Sequence, residues 1–193
     1  VPVVSAGDDA SSAAYAMVII VPTDSDMQSI DDLRGHTLTF TDPTSNSGFK
    51  APFVILSSDY GLLPERDYLI NFSYGHENSI VGVAEGRFEA AAVASDMLKR
   101  VASNQDIDLD KIRVLYRSES FPPAGLGYVH NLSPRLQEQL RDALLDFSFE
   151  NTSLESEFAP GGATRFVPVS YKDDYALIRR IDDAIGRQHV IDQ

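Results

Sequence analysis

Thr39-Phe40-Thr41-Asp42-Pro43-Thr44-Ser45-Asn46-Ser47-Gly48-Phe49 joins two kinds of segment, and its reading decides the fold. Residues 37–41 are β-branched and aromatic, so they predict a strand. A polar, hydroxyl-rich loop follows at 42–47. Gly48 to Tyr60 then predicts a helix that ends at Gly61, with Pro52 confined to its first turn. The first turn of a helix exposes unpaired N–H groups and the positive end of the dipole. Thr44, Ser45 and Ser47 add hydroxyl donors, Asn46 adds an amide, and Gly48 lets the backbone approach closely. Such donors suit a tetrahedral oxyanion held without Lys or Arg. Ser, Thr and Asn are also ordinary residues at a capped helix start. The loop alone fits both readings. It is not a Walker A loop, because Gly-Lys-[Ser/Thr] is absent.

Outward from the loop, strands and helices alternate. Ala13 to Val21 reads as a buried strand. Ser29-Ile30-Asp31-Asp32 has capping-box spacing and opens a short helix that stops at Gly35. Downstream, strands are predicted at 69–73, 89–93, 112–116 and 125–129. Helices are predicted at 77–85, 96–102, 133–147 and 171–186, with a loop or short helix over 153–165. Val1 to Val4 reads as a strand end and Asp8 to Ser12 as a loop. The alternation implies an α/β fold of mainly parallel strands with crossover helices. The strand at 13–21 arrives without a preceding βα unit and would leave a raw sheet edge. The natural N-terminus is therefore expected to lie upstream.

The chain has 193 residues, a formal charge of −13 and no cysteine. That charge argues against nucleic acid and against an anionic membrane surface, both of which call for basic patches. It does not argue against a small anion, which responds to local dipoles. The absence of cysteine removes disulfides, thiolate nucleophiles and cysteine zinc sites. No apolar run is long enough to span a bilayer. No basic start precedes an apolar export signal. The sequence thus fits a cytoplasmic chain or the mature or truncated part of an exported one. Asp106, Asp108 and Asp110 alternate like a calcium loop but lack its Gly and terminal Glu, so they read as a solvated loop. His36, His130 and His189 have no metal-ligand spacing and read as surface residues. Tyr171, Tyr175 and Ile178 read as core. No metal or cofactor is expected. Without a Ser-His-Asp motif or a metal set, neither is an enzyme.

Three blocks carry a resemblance. "TDPTSNSGFKAP" is similar to the "DPxSTSGYxxP" segment of the phosphonate/phosphite ABC-transporter substrate-binding family. "YAMVIIVPTDSDMQSIDDLRGHTLTF" resembles the segment before it. "YGHENSIVGVAEGRFEAAAVASDML" resembles the later "GSHDxxIxAVxxGxxDAAAVxSDxL". The likeness covers nearly the whole chain. It implies a type II periplasmic-binding fold, with two α/β lobes and the ligand in a cleft between them. One lobe would comprise 1–21 and 111–193, and would be incomplete. The other would comprise 22–110. This chain alone is accordingly expected to bind phosphonates weakly or not at all.

Carried over residue by residue, the resemblance puts Ser45, Asn46 and Ser47 on the family's Ser-Thr-Ser (or Ser-Thr-Ala) run, with Asn in place of Thr. Phe49 replaces the usual Tyr, and a phenol hydroxyl is lost. His76 and Glu77 fall on a His-Asp/Glu pair, Asp96 on the aspartate of "AxxSD", and Tyr15 on an aromatic that opens the returning strand. With Thr44, these are the expected ligand-binding residues. On the residues alone Glu77 and Asp96 read as helix N-terminal carboxylates favoured by the dipole, and the resemblance favours ligand contact instead. Facing a ligand, they would suit an ammonium group or a protonated oxygen. His76 either donates to a ligand oxygen or caps the turn after Gly75. The resemblance implies a solute-binding component of an ABC importer that captures a phosphonate, phosphite or related phosphorus oxyanion and works with a permease in the periplasm or another extracytoplasmic space. The alternative is a ligand-sensing domain of the same fold.

Overall fold

Ala90-Ala91-Ala92-Val93-Ala94 is buried at every position, the mark of a strand covered on both faces. It is β5 of the computed structural model, which describes residues 2–8, 14–104, 107–122, 125–158 and 162–191. The other strands are β1 (Pro2–Gly7), β2 (Tyr15–Pro22), β3 (Thr37–Phe40), β4 (Leu69–Phe72), β6 (Ile112–Phe121), β7 (Gly125–Gly127) and β8 (Arg165–Pro168). The α-helices are α1 (Ala51–Asp59), α2 (His76–Ala84), α3 (Ser95–Asn104), α4 (Pro134–Leu145), α5 (Ser153–Phe158) and α6 (Ala176–Ile191).

The chain forms two units. One is Val1–Tyr15 with Phe121–Arg179, built on a sheet of order β7-β1-β8. Both pairings of β1 are antiparallel. Val4, Ala6, Phe149, Ala163 and Phe166 form its core, with Leu144, Leu145, Leu154 and Phe158 packed against it. Phe149 meets Phe166 edge-on at 4.9 Å and stacks on Phe158 at 5.3 Å.

The other unit is Ala16–Ser120 with Arg180–Gln193, built on a sheet of order β4-β3-β5-β2-β6. β3 is parallel to both β4 and β5, whereas β2 is antiparallel to β5. Thr23 N–H donates to Lys111 O at 2.9 Å, and Met17 N–H donates to Ser118 Oγ at 3.0 Å. These bonds run β6 antiparallel to β2. Ile80 and Val83 of α2 and Val101 of α3 close over Val18, Ile20, Ala91 and Val93 in one cluster.

Several expectations are corrected. β2 leaves no raw edge, because β5 and β6 flank it. Alternation along a sequence does not encode strand order, so it could not show this pairing. The two units divide after residues 15, 120 and 179, beside the lobe bounds at 21 and 110 that the sequence suggested. The element after Ser29 is a single 3₁₀ turn, Ile30–Leu33, closed by the capping box. β6 runs on to Phe121 through the polar Ser118-Glu119-Ser120, which hid it from a hydrophobicity pattern. β8 appears where a loop or short helix was expected to reach Arg165. α6 starts at Ala176, so Tyr171 lies outside it and is half exposed rather than core. The Tyr171 ring instead covers the Arg179 guanidinium at 5.0 Å. The expected loop at 8–12 falls mostly outside the described residues, as does Asp106.

Candidate functional site

Parallel register puts three strand ends, Phe40, Phe72 and Ala94, on one edge of the larger sheet. In open α/β sheets this carboxyl edge is where ligands bind. The loop at 44–47 leaves it after β3, His76 and Glu77 leave it after β4, and Asp96 leaves it after β5.

The loop opens with an Asx turn. Thr44 donates to the Asp42 carboxylate from its N–H at 2.8 Å and from its hydroxyl at 2.5 Å. Those bonds hold the Asp42 carboxyl below the usual carboxylate range, and they engage the Thr44 hydroxyl proton. Ser45 caps the helix start, with its Oγ accepting Gly48 N–H at 3.0 Å. Helix winding then departs from the α pattern. Lys50 N–H reaches Ser45 O at 3.0 Å and Ala51 N–H reaches Asn46 O, which makes one π-turn over Asn46–Lys50.

Pro52 accounts for what happens to the freed carbonyl. It has no N–H, so it cannot donate to Gly48 O four residues back. Thr41 N–H takes that oxygen instead at 3.0 Å, tying the helix start to the end of β3. The two residues also touch through Gly48 Cα. A Cβ on Gly48 would sit 1.7 Å from Thr41 Oγ1. Glycine is required here by close approach. Asn46 and Ser47 therefore open a fixed helix start, where backbone donors have no helical partner. Ser47 is buried, while Ser45 and Asn46 are half-buried.

His76 begins α2. Ala94 N–H, at the end of β5, donates to its Nδ1 at 3.1 Å. That bond requires an unprotonated Nδ1, so the neutral ring carries its proton on Nε2. The ring does not cap the turn after Gly75. Burial lowers the His76 pKa, and the Asp96 charge opposes this. Asp96 lies in the first turn of α3, and among the described residues its Oδ1 is buried without a hydrogen-bond partner. Glu77 is exposed in the first turn of α2. Tyr15 begins β2 in the first unit, where its ring stacks on Phe121 at 5.7 Å.

The larger sheet thus gathers Thr44, Ser45, Asn46, Ser47, His76, Glu77 and Asp96 at one edge. Thr41 and Tyr74 also stand at this edge, and the sequence reading passed over both. A threonine ending a strand seven residues before a loop glycine is the only signal for Thr41. Tyr74 stands where the pattern "GSHDxxI" begins with Gly, a departure that could have drawn notice. His36 does not join the edge. His36 Nδ1 pairs with Glu89 at 3.1 Å, His130 is exposed, and the His189 side chain lies outside the described residues.

The family described as "ABC transporter, phosphonate, periplasmic substrate-binding protein" matches residues 1–175. The phosphonates-binding periplasmic protein of Escherichia coli is 25% identical over 142 residues, which is 70% of this chain and 41% of that protein. The phosphate-import protein PhnD of Mycolicibacterium smegmatis is 22% identical over 94% of this chain and 61% of its own length. The chain therefore spans about half the length of these curated relatives. A binding-protein component of an ABC phosphonate transporter from Pseudomonas aeruginosa superposes with a TM-score of 0.72 at 17% identity, covering 100% of this chain and 74% of that one. PhnD1 from Prochlorococcus marinus, solved with methylphosphonate, gives a TM-score of 0.73 at 19% identity over 96% of this chain and 71% of that one. At these identities the structural likeness shows the fold, that of periplasmic binding proteins.

Proposed function

The chain belongs to the family of periplasmic substrate-binding proteins of phosphonate ABC transporters, and on that premise we propose that the carboxyl edge of its larger sheet holds a phosphonate, phosphite or related phosphorus oxyanion. The observation that carries the reading is the π-turn at Asn46–Lys50, clamped to Thr41 and capped by Ser45. It presents backbone N–H groups and hydroxyls at the positive end of a helix. Ser45, Asn46 and Ser47 would take the ligand's oxygens. His76 would donate from Nε2. Asp96 Oδ1, buried without a partner, would accept from a protonated oxygen or an amino group on the ligand. Glu77 completes the proposed set at this edge, and Thr44 would shape the loop through Asp42.

The bound solute would pass to an ABC permease on the periplasmic side of the membrane. No helix among the described residues is long and apolar enough to cross a bilayer. The test is a thermal-shift screen of the full-length protein against aminoethylphosphonate, methylphosphonate, phosphite, phosphate and sulfate. Stabilisation follows occupancy, so at least one phosphorus oxyanion should raise the melting temperature well beyond sulfate. Stabilisation by sulfate alone, or by nothing, refutes the reading.

A further inference from the structure

Tyr74 is strained and exposed, and its packing does not account for it. Its φ is +57°, in the left-handed region that disfavours residues with a Cβ. Among the described residues two other non-glycine residues share that region, and each has a local reason. Asn151 belongs to the residue type that tolerates it best, and the Glu65 carboxylate accepts Ile70 N–H at 3.1 Å. Tyr74 leaves 75% of its surface in solvent, so burial returns little for the strain. Strain retained without such a return clusters at functional sites.

The ring's location narrows the role. Tyr74 follows β4 by two residues and directly precedes Gly75 and His76. Its ring leans on Phe72 at 6.2 Å, and Phe72 packs 5.6 Å from Phe49, the residue after Gly48. Phe49, Phe72 and Tyr74 form a row from the oxyanion loop to the start of α2. The exposed end of that row is the only one carrying a phenol.

We propose that Tyr74 is a specificity-determining residue, whose exposed ring packs against the carbon substituent of a phosphonate while its oxygens occupy the 45–48 loop. An aromatic face attracts apolar groups and ammonium groups alike. Inorganic phosphate and phosphite have no carbon substituent and gain nothing from the ring. The proposal rests on the oxyanion reading above.

Calorimetric titration of the full-length protein tests it, using aminoethylphosphonate and phenylphosphonate beside phosphite and phosphate. Tyr74→Ala should weaken binding of at least one of the two substituted phosphonates about tenfold and leave phosphite and phosphate within about twofold. Tyr74→Phe should keep the wild-type preference. Tyr74→Gly should raise the melting temperature by about 2–4 °C through relief of strain while losing the same preference. A purely structural residue would not move stability and affinity in opposite directions. Equal losses for all ligands, or no loss for any, overturns the proposal. Wild-type protein that binds phosphate or phosphite but neither substituted phosphonate overturns it too, and leaves the oxyanion reading standing. Wild-type protein that binds no phosphorus oxyanion removes both.

Discussion

Replacing Gly48 with Ala tests the clamp between the oxyanion loop and β3. The added Cβ would lie 1.7 Å from Thr41 Oγ1, 2.7 Å from its Cβ and 2.8 Å from its Cγ2. Thr41 is buried at 2% exposure and its χ1 is stiff, so its side chain has little room to turn away. Overpacking of this kind costs about 1–3 kcal/mol. Alanine's better helix propensity offsets about 0.5–1 kcal/mol. The net loss should be about 1–2 kcal/mol, or a fall of about 2–8 °C in melting temperature. The backbone shift also moves the Asn46 and Ser47 N–H groups, so oxyanion affinity should drop about tenfold or more. Thr41→Ala removes Oγ1 and Cγ2 but leaves the Cβ contact, so the double variant should recover part of the loss. A double-mutant cycle by urea unfolding should give a coupling of about 1 kcal/mol. Wild-type stability in Gly48→Ala, or strict additivity with Thr41→Ala, would refute the clamp.

Ser45→Ala removes the cap on Gly48 N–H and should cost about 1 kcal/mol in urea unfolding while weakening oxyanion binding, with Ser45→Thr restoring most of both. Tyr68→Phe should hold stability or raise it by about 1 kcal/mol, because the buried Tyr68 hydroxyl has no partner among the described residues. Burial holds the folded His76 pKa below the ordinary histidine value of 6.5. The unfolded chain therefore binds the proton first, and stability should fall as pH drops through about 6.5 toward the folded value, then level off. His76→Asn keeps an acceptor near the Nδ1 position without titrating, so melting curves from pH 7 to 5 should lose this component. An unchanged pH profile in that variant would place the effect elsewhere.

How much the sequence revealed depended on how local each cause was. The strand, polar turn and helix around 39–60 were legible because strand propensity, capping residues and Pro52 all act within one segment. β5 was legible as an unbroken apolar run. The π-turn was not, because it needs both the missing Pro52 N–H and a substitute donor at Thr41, and only the folded chain brings these together. The His76 tautomer rests on a bond to Ala94, eighteen residues on. The left-handed backbone of Tyr74 was invisible for the opposite reason. Propensity argues against it, and conflict between local preference and observed conformation is what a functional position produces.

The net charge of −13 bears on which anion this edge suits. The cation nearest the loop in sequence, Lys50, is paired with Asp182 at 2.9 Å, so its charge is largely neutralised within the protein. In the proposed site the donors at 45–48 are neutral N–H and O–H groups, and the Asp96 carboxylate stands at the same sheet edge. At physiological ionic strength, charges beyond about 8 Å are screened, so the remaining acidic surface does little against a ligand already seated. The local balance still disfavours a second negative charge, since neutral dipoles must offset it beside Asp96. A monoanionic oxyanion, or a dianion carrying its own ammonium group, fits this arrangement better than a bare dianion.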